Sequence, residues 1–249
     1  MSEIYRFKIF SKFRELKHIV TKRDEEKALD NSLALHTGED TAQILKNREG
    51  IERFMDMDIV VADQIHGSNI EIIDESGSRG WRDRRSAVRD CDSLITDVRG
   101  VSVGVLTADC LPILIYDPIN VVVGATHAGW RGTKERIIYK TIERMVENFG
   151  SNPRDIVVGI APSIGGCCYE VDFNVAQHFL GYRGACRAKI GGKYMLNLVE
   201  VNIAQMVEIG VAMENIESSG ICTHCDFHNF FSYRKTSCSG RFISLIGVQ

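Results

Sequence analysis

No stretch of this 249-residue chain is apolar for long enough to cross a bilayer. The strongest candidate, over 101–116, is interrupted by Asp109 and Pro112, and a spanning helix needs about 20 apolar residues. A basic excess is lacking too. The 30 Lys+Arg stand against 33 Asp+Glu for a net charge of −3, which argues against nucleic acid as a partner because little is available to neutralise a phosphate backbone. The first twenty residues mix Glu3, Arg6, Lys8, Lys12, Arg14 and Glu15 with their apolar side chains, so no signal peptide is expected there. No internal repeat and no Pro/Gly/Ser-rich linker divides the chain. A dinucleotide fingerprint is absent, and the turn Ser163-Ile164-Gly165-Gly166 lacks the Lys-Ser/Thr ending of a phosphate loop.

What is present is an ordinary globular composition. Hydrophobic residues make up 44% and charged residues 25%, which excludes collagen-like, coiled-coil and disordered classes. The length suits one larger mixed domain over 1–249. Eight cysteines without a secretion signal point to a reducing compartment, where thiols stay free or bind metal. The expected setting is therefore soluble and cytoplasmic.

Hydrophobic spacing predicts helices over 41–54, 133–149, 171–180 and 198–208. It predicts strands over 58–62, 70–74, 101–106, 111–116, 121–126, 156–160 and 242–248. Asp117-Pro118-Ile119-Asn120 has hairpin-turn chemistry, and the 58–62 and 70–74 strands flank the turn His66-Gly67-Ser68-Asn69. The polar stretch 75–89, with five arginines, reads as an exposed loop. Strands in hairpins as well as between helices favour a mixed sheet.

Three segments run an apolar strand straight into a metal-capable or nucleophilic residue: Gln64-Ile65-His66-Gly67, Thr107-Ala108-Asp109-Cys110 and Thr126-His127-Ala128-Gly129. The hairpin between Cys110 and His127 returns the chain to the end it left, so the two side chains can meet, with His66 as a third member. Two imidazoles and a thiolate suit a catalytic zinc, which keeps a fourth position open and lowers the pKa of its water to near 7. Taken singly, each residue has a bland reading: a buried Cys as a small core hydrophobe, a His as a surface donor. Asp109 either orients a ligand histidine or holds a turn. Arg131 either gathers a phosphate or substrate carboxylate or stabilises its own turn. A disulfide between the adjacent Cys167 and Cys168 would close a strained ring, and packing beside the site is the preferred reading for Cys167. The segment Cys222 to His228 resembles half of a structural zinc site; a matching second half is not evident, and a four-ligand set of Cys222, Cys225, His228 and Cys238 stands as the minor alternative.

The runs CDSLITD, VGVLTADCLPILIYDP, VVGATHAGWRGT, APSIGGCCYEV and CTHCDFHNFFSYRK followed by GRFISLIG resemble the YfiH family. This family also goes by the names laccase-domain, multicopper polyphenol oxidase and peptidoglycan editing factor. The resemblance implies an α+β fold, a four-layer α/β/β/α sandwich with mixed sheets. It implies a mononuclear zinc held by His66, Cys110 and His127. It also implies phosphorolysis of adenosine, inosine, guanosine or methylthioadenosine to base and sugar 1-phosphate, with inorganic phosphate as co-substrate, and deamination of adenosine. A role in keeping cell-wall precursors correct is attached to the family as well. Asn47-Arg48 matches the family's N-R element, and Arg48 and Arg131 are the expected phosphate cations. Two departures stand out: the N-terminal Thr21-Lys22-Arg23-Asp24 lacks a glycine pair, and Ala34 stands where Asn is common.

Three other readings compete. A metal-free cysteine hydrolase would use Cys110 as nucleophile and His127 as base. A copper-dependent polyphenol oxidase would need several imidazole-rich sites, and the chain has only seven histidines in scattered positions. A non-enzymatic binding protein would carry the metal for structure alone. The sequence leaves the oligomeric state open, with a homodimer among the expectations.

Overall fold

Four seven-residue strands, Val101–Thr107, Leu111–Asp117, Val122–Ala128 and Phe242–Val248, are buried at every position. Strands covered on both faces lose the in-out alternation of a half-exposed sheet, and so they read in sequence as continuous apolar runs. Their surroundings are seen in a computed structural model that describes residues 4–237 and 240–249.

In chain order the first elements are β1 (Ile4–Tyr5), β2 (Leu16–Thr21), α1 (Thr41–Met55), β3 (Asp58–Val61), β4 (Ile70–Ile72), β5 (Ser93–Thr96) and β6 (Val101–Thr107). The centre holds β7 (Leu111–Asp117), β8 (Val122–Ala128), α2 (Trp130–Lys134), α3 (Ile137–Phe149) and β9 (Val157–Ile160). Then come β10 (Glu170–Asp172), α4 (Phe173–Ala176), β11 (Cys186–Ala188), β12 (Lys193–Leu196), α5 (Leu198–Ile209), β13 (Ile216–Ser218), α6 (Tyr233–Thr236) and β14 (Phe242–Val248).

Two mixed sheets dominate. One has the order β1-β2-β14-β6-β3 and the other β13-β9-β7-β8-β5-β4; a small third sheet is β10-β12-β11. The two large sheets face each other across one core, where Val103 and Val105 of β6 and Ile246 of β14 meet Leu114 and Tyr116 of β7 and Val123 of β8. The outer face of the first sheet packs Ile59, Val61 and Leu245 against Ile51 and Met55 of α1. The outer face of the second packs Ile113, Ile115 and Val158 against Ile137, Ile138, Ile142 and Met145 of α3, with Met206 of α5. Along β7, odd residues therefore face helices and even residues face the other sheet, the period of two expected of a strand. Each such buried aliphatic contributes roughly 1.5–3 kcal/mol relative to exposure. The result is the α/β/β/α sandwich expected from the sequence. None of its described helices is long and apolar enough to cross a membrane.

Three expectations need correction. The turn containing His66 does not close a hairpin: β3 pairs in parallel with β6 in one sheet, and β4 pairs in parallel with β5 in the other. Residues 62–69 instead cross between the sheets. The helix predicted over 133–149 starts one turn earlier and is broken at Arg136, whose φ of 63° interrupts it between α2 and α3. The helix predicted over 171–180 shrinks to α4, because residues 170–172 pair with β12 instead. The arginine-rich loop is exposed as expected, with Arg82, Arg84, Arg85 and Arg89 open to solvent, and Trp81 within it is buried under α1 as an anchor.

Candidate active site

The chain crosses from the first sheet to the second twice at the same end of the sandwich, through residues 62–69 and again through 108–110 between β6 and β7. His66 lies on the first crossing and Cys110 on the second. The β7–β8 ladder sets Leu111 opposite Ala128 and Pro112 opposite His127, so His127 arrives beside Cys110. The ligand atoms of His66, Cys110 and His127 all lie within 4.8 Å of one another. The trio expected from the sequence is therefore assembled, and the hairpin argument holds for Cys110 and His127.

Asp92 organises this trio, and sequence reasoning missed it. Its carboxylate is fully buried. Oδ1 lies 2.7 Å from Nδ1 of His127, which leaves Nε2 for the Cys110 side. The same carboxylate accepts backbone N–H groups of Ile65, His66 and Gly67 at 3.3, 2.9 and 2.6 Å. His66 sits at a left-handed φ of 62°, a conformation a non-glycine residue holds only where its surroundings fix it, and these hydrogen bonds supply that restraint. One buried carboxylate thus aims both histidines. The only sequence signal was a polar Cys-Asp-Ser step entering β5.

Gly132 seals the arrangement from the other side. A Cβ placed on it would stand 2.6 Å from the carbonyl oxygen of Gly67. Only glycine lets α2 lie this close to the His66 turn.

Electrostatics couple the pair. Burial opposes ionisation of the Cys110 thiol, but His127 and His66 beside it outweigh burial and bring it down to about 6. Burial likewise opposes a charged His127, yet Cys110 and Asp92 outweigh it and push the imidazole up. The donor set is soft sulfur plus imidazole, with one imidazole fixed by a buried carboxylate. That is the ligand and outer-shell combination zinc takes in catalytic sites.

Asp109 takes the turn-holding role. Its Oδ1 accepts from the Thr223 hydroxyl at 2.7 Å and its Oδ2 from the Arg234 N–H at 2.6 Å, while its carbonyl accepts from Ile164 N–H at 2.9 Å. It ties three loops together and orients neither histidine. Arg48 is a clear correction. It is 1% exposed, and its guanidinium donates to the carbonyls of Leu33, Gly80 and Trp81 and lies over the Trp81 ring. It braces α1 against the 75–89 loop and is not among the residues that line the cavity beside the trio.

Arg131, in contrast, lines a cavity of about 520 Å³ whose floor is His66, Cys110 and His127. Arg234 and Arg241 line it too, as do the rings of Trp130, Tyr169 and Tyr233. Arg131 lies over the Trp130 ring and Arg234 over Tyr169. Sequence reasoning passed over these last residues, although Tyr233, Arg234 and Arg241 belong to motifs already noted.

The half-zinc pattern is rearranged. His228 sits apart, its Nδ1 3.3 Å from Glu25, and Cys238 lies outside the described residues. Cys222 and Cys225 meet Cys167 and Cys168 instead.

This sandwich with a His-Cys-His centre at one end defines a known class. Residues 18–249 match the family described as multi-copper polyphenol oxidoreductase laccase. The chain belongs to that family, whose members include the YfiH and YlmD proteins. It is 35% identical to the purine nucleoside phosphorylase YlmD of Bacillus subtilis over 86% of this chain and 81% of that protein. It is 32% identical to the adenosine deaminase RL5 of an unknown prokaryotic organism, over 84% of each. Among solved structures, YlmD of Geobacillus stearothermophilus superposes with a TM-score of 0.89 at 30% identity, covering 96% of this chain and 94% of that one.

Proposed function

We propose that this chain is a zinc-dependent purine nucleoside phosphorylase that also deaminates adenosine, with His66, Cys110 and His127 holding the metal. The observation that carries the reading is the convergence of these three ligand atoms within 4.8 Å at the floor of a cavity walled by arginines and aromatic rings. The relatives' names supply the substrate class. The cavity volume lies within the range of small-molecule sites, about 300–1,000 Å³, and accommodates a nucleoside with phosphate.

Zinc held there supplies Lewis-acid activation of an oxygen nucleophile. The chain's own residues do the rest. Asp92 keeps His127 on one tautomer and His66 in its turn. Arg131 and Arg234 neutralise phosphate as it attacks the anomeric carbon and the glycosidic bond breaks to free the base. Trp130, Tyr169 and Tyr233 offer faces for the purine. Asp109 holds Arg234 at the rim through its N–H. Mapping the cleavage requires adenosine with and without phosphate, resolved by chromatography. Adenine plus ribose 1-phosphate only with phosphate, and inosine without it, support the reading; no turnover of any purine nucleoside contradicts it.

A second reading has one observation in its favour. Asp92, His127 and Cys110 stand in the order of an orienter, a base and a nucleophile. A cysteine hydrolase built on them would turn over without stoichiometric metal. A multicopper oxidase is less well supplied, since only His36, His66 and His127 of the seven histidines line the cavity.

A further inference from the structure

A second group of thiols sits behind the cavity wall. Cys167 and Cys168 belong to the turn after β9, and Cys222 and Cys225 to the turn after β13. None of the four lines the catalytic cavity. Their Sγ atoms all lie within 4.8 Å of one another. Sγ of Cys225 is 3.8 Å from that of Cys167 and 3.4 Å from that of Cys168. Four sulfurs around one zinc at Zn–S near 2.3 Å are spaced by tetrahedral geometry at about 3.8 Å. The backbone is arranged to match, with the Gly165 N–H pointing at Sγ of Cys222 at 3.2 Å, the contact that supports a sulfur carrying negative charge.

We infer that Cys167, Cys168, Cys222 and Cys225 form a second, structural zinc site, independent of the nucleoside reading. Four thiolates around one ion leave no open position for substrate, which distinguishes a structural centre from a catalytic one. On binding, Zn²⁺ replaces four thiol protons, which pass to solvent, and nothing is oxidised or reduced. Pairing Cys168 with Cys225 in a disulfide would use two of the thiols and leave the gathering of the other two without a cause.

The position gives the ion a task. The two turns meet at the isolated bridge between Ser163 and Cys222, where Thr223 N–H donates to the Ser163 carbonyl at 3.0 Å. Each supports the catalytic cavity: Tyr169 and Ile164 line it, and Thr223, inside the Cys222–Cys225 knuckle, donates to Asp109. A zinc here staples the two turns and holds that wall in place.

The test counts metal in the whole chain, purified with reductant and equilibrated with Zn²⁺ alone. Wild type should hold two zinc ions per chain, and both His66→Ala/Cys110→Ala and Cys222→Ser/Cys225→Ser should hold one. Cobalt added to the metal-free His66→Ala/Cys110→Ala variant should give the intense visible absorption of a tetrahedral thiolate centre. That spectrum keeps the test decisive if the double serine variant does not fold. One zinc in wild type that is lost in His66→Ala/Cys110→Ala, or no cobalt-thiolate spectrum in that variant, overturns the site. A Cys168–Cys225 disulfide in the reduced preparation overturns it as well.

Discussion

Nδ1 of His127 lies 2.7 Å from Oδ1 of Asp92, and neither side chain is open to solvent. The same carboxylate caps the turn that carries His66, so one residue sets the direction of two of the three proposed ligands. Asp92→Asn places an amide N–H toward groups that are themselves donors. Outer-shell losses of this kind typically cost about 10–100-fold in metal affinity. We expect that loss in zinc affinity, measured by chelator competition, with a parallel fall in nucleoside turnover. An unchanged affinity would mean that Asp92 only stabilises the fold.

Arg48 and Arg131 should part company when each is replaced by Met. Arg48→Met strips the carbonyls of Leu33, Gly80 and Trp81 of their donor, and each buried acceptor left unpaired costs about 1–3 kcal/mol. Its urea midpoint should fall while the KM for phosphate in the folded enzyme stays within about twofold. Arg131→Met should leave stability within about 0.5 kcal/mol and raise the KM for phosphate about tenfold, equivalent to about 1.4 kcal/mol of binding. The reverse pattern would return Arg48 to the substrate.

Gly132→Ala tests the close approach of α2 to the His66 turn. The added methyl must displace the Gly67 carbonyl, and overpacking of this kind costs about 1–3 kcal/mol. Thermal unfolding should move down, and zinc affinity should fall with it because the His66 turn is what yields. A loss of stability with zinc affinity intact would show that the turn is free to adjust.

His18 predicts the acid limb of stability. Its Nε2 accepts the Phe7 N–H at 2.9 Å between the Phe7 and Phe10 rings. Burial, with Arg6 adding to it, lowers its pKa from 6.5 to about 4. The folded state therefore binds the proton less readily than the unfolded chain. The stabilisation is complete above pH 6.5 and drains away as pH falls toward 4, by about 3 kcal/mol in all at 1.36 kcal/mol per pKa unit. Urea midpoints between pH 7.5 and 4 should show this slope, and His18→Gln should reduce it, leaving the part that His36, lowered over the same range, contributes. Equal slopes in both proteins would place the acid sensitivity elsewhere.

Much of this architecture is legible from the chain because its central strands are buried on both faces and α3 carries a plain apolar stripe through Ile137, Ile138, Ile142 and Met145. Cys110 and His127 could be paired from a hairpin, since local turn chemistry decides that geometry. His66 was placed on a hairpin that does not exist; strand pairing across two sheets leaves no local mark. Asp92 and the fourfold thiol group escaped for the same reason, each depending on segments that only the tertiary fold brings together. Arg48 shows the converse. A motif arginine at helical spacing gives no sign of whether it faces ligand or backbone carbonyls until its burial is known.

The most direct test of the central claim is to strip the metal, assay and restore it in one preparation. Zinc content and adenosine phosphorolysis would be measured as isolated, after chelation under reductant, and after stoichiometric Zn²⁺, with Cys110→Ala in parallel. The account predicts turnover that disappears with the zinc, returns with it in wild type, and never appears in Cys110→Ala. Full phosphorolysis by metal-free wild type would contradict it.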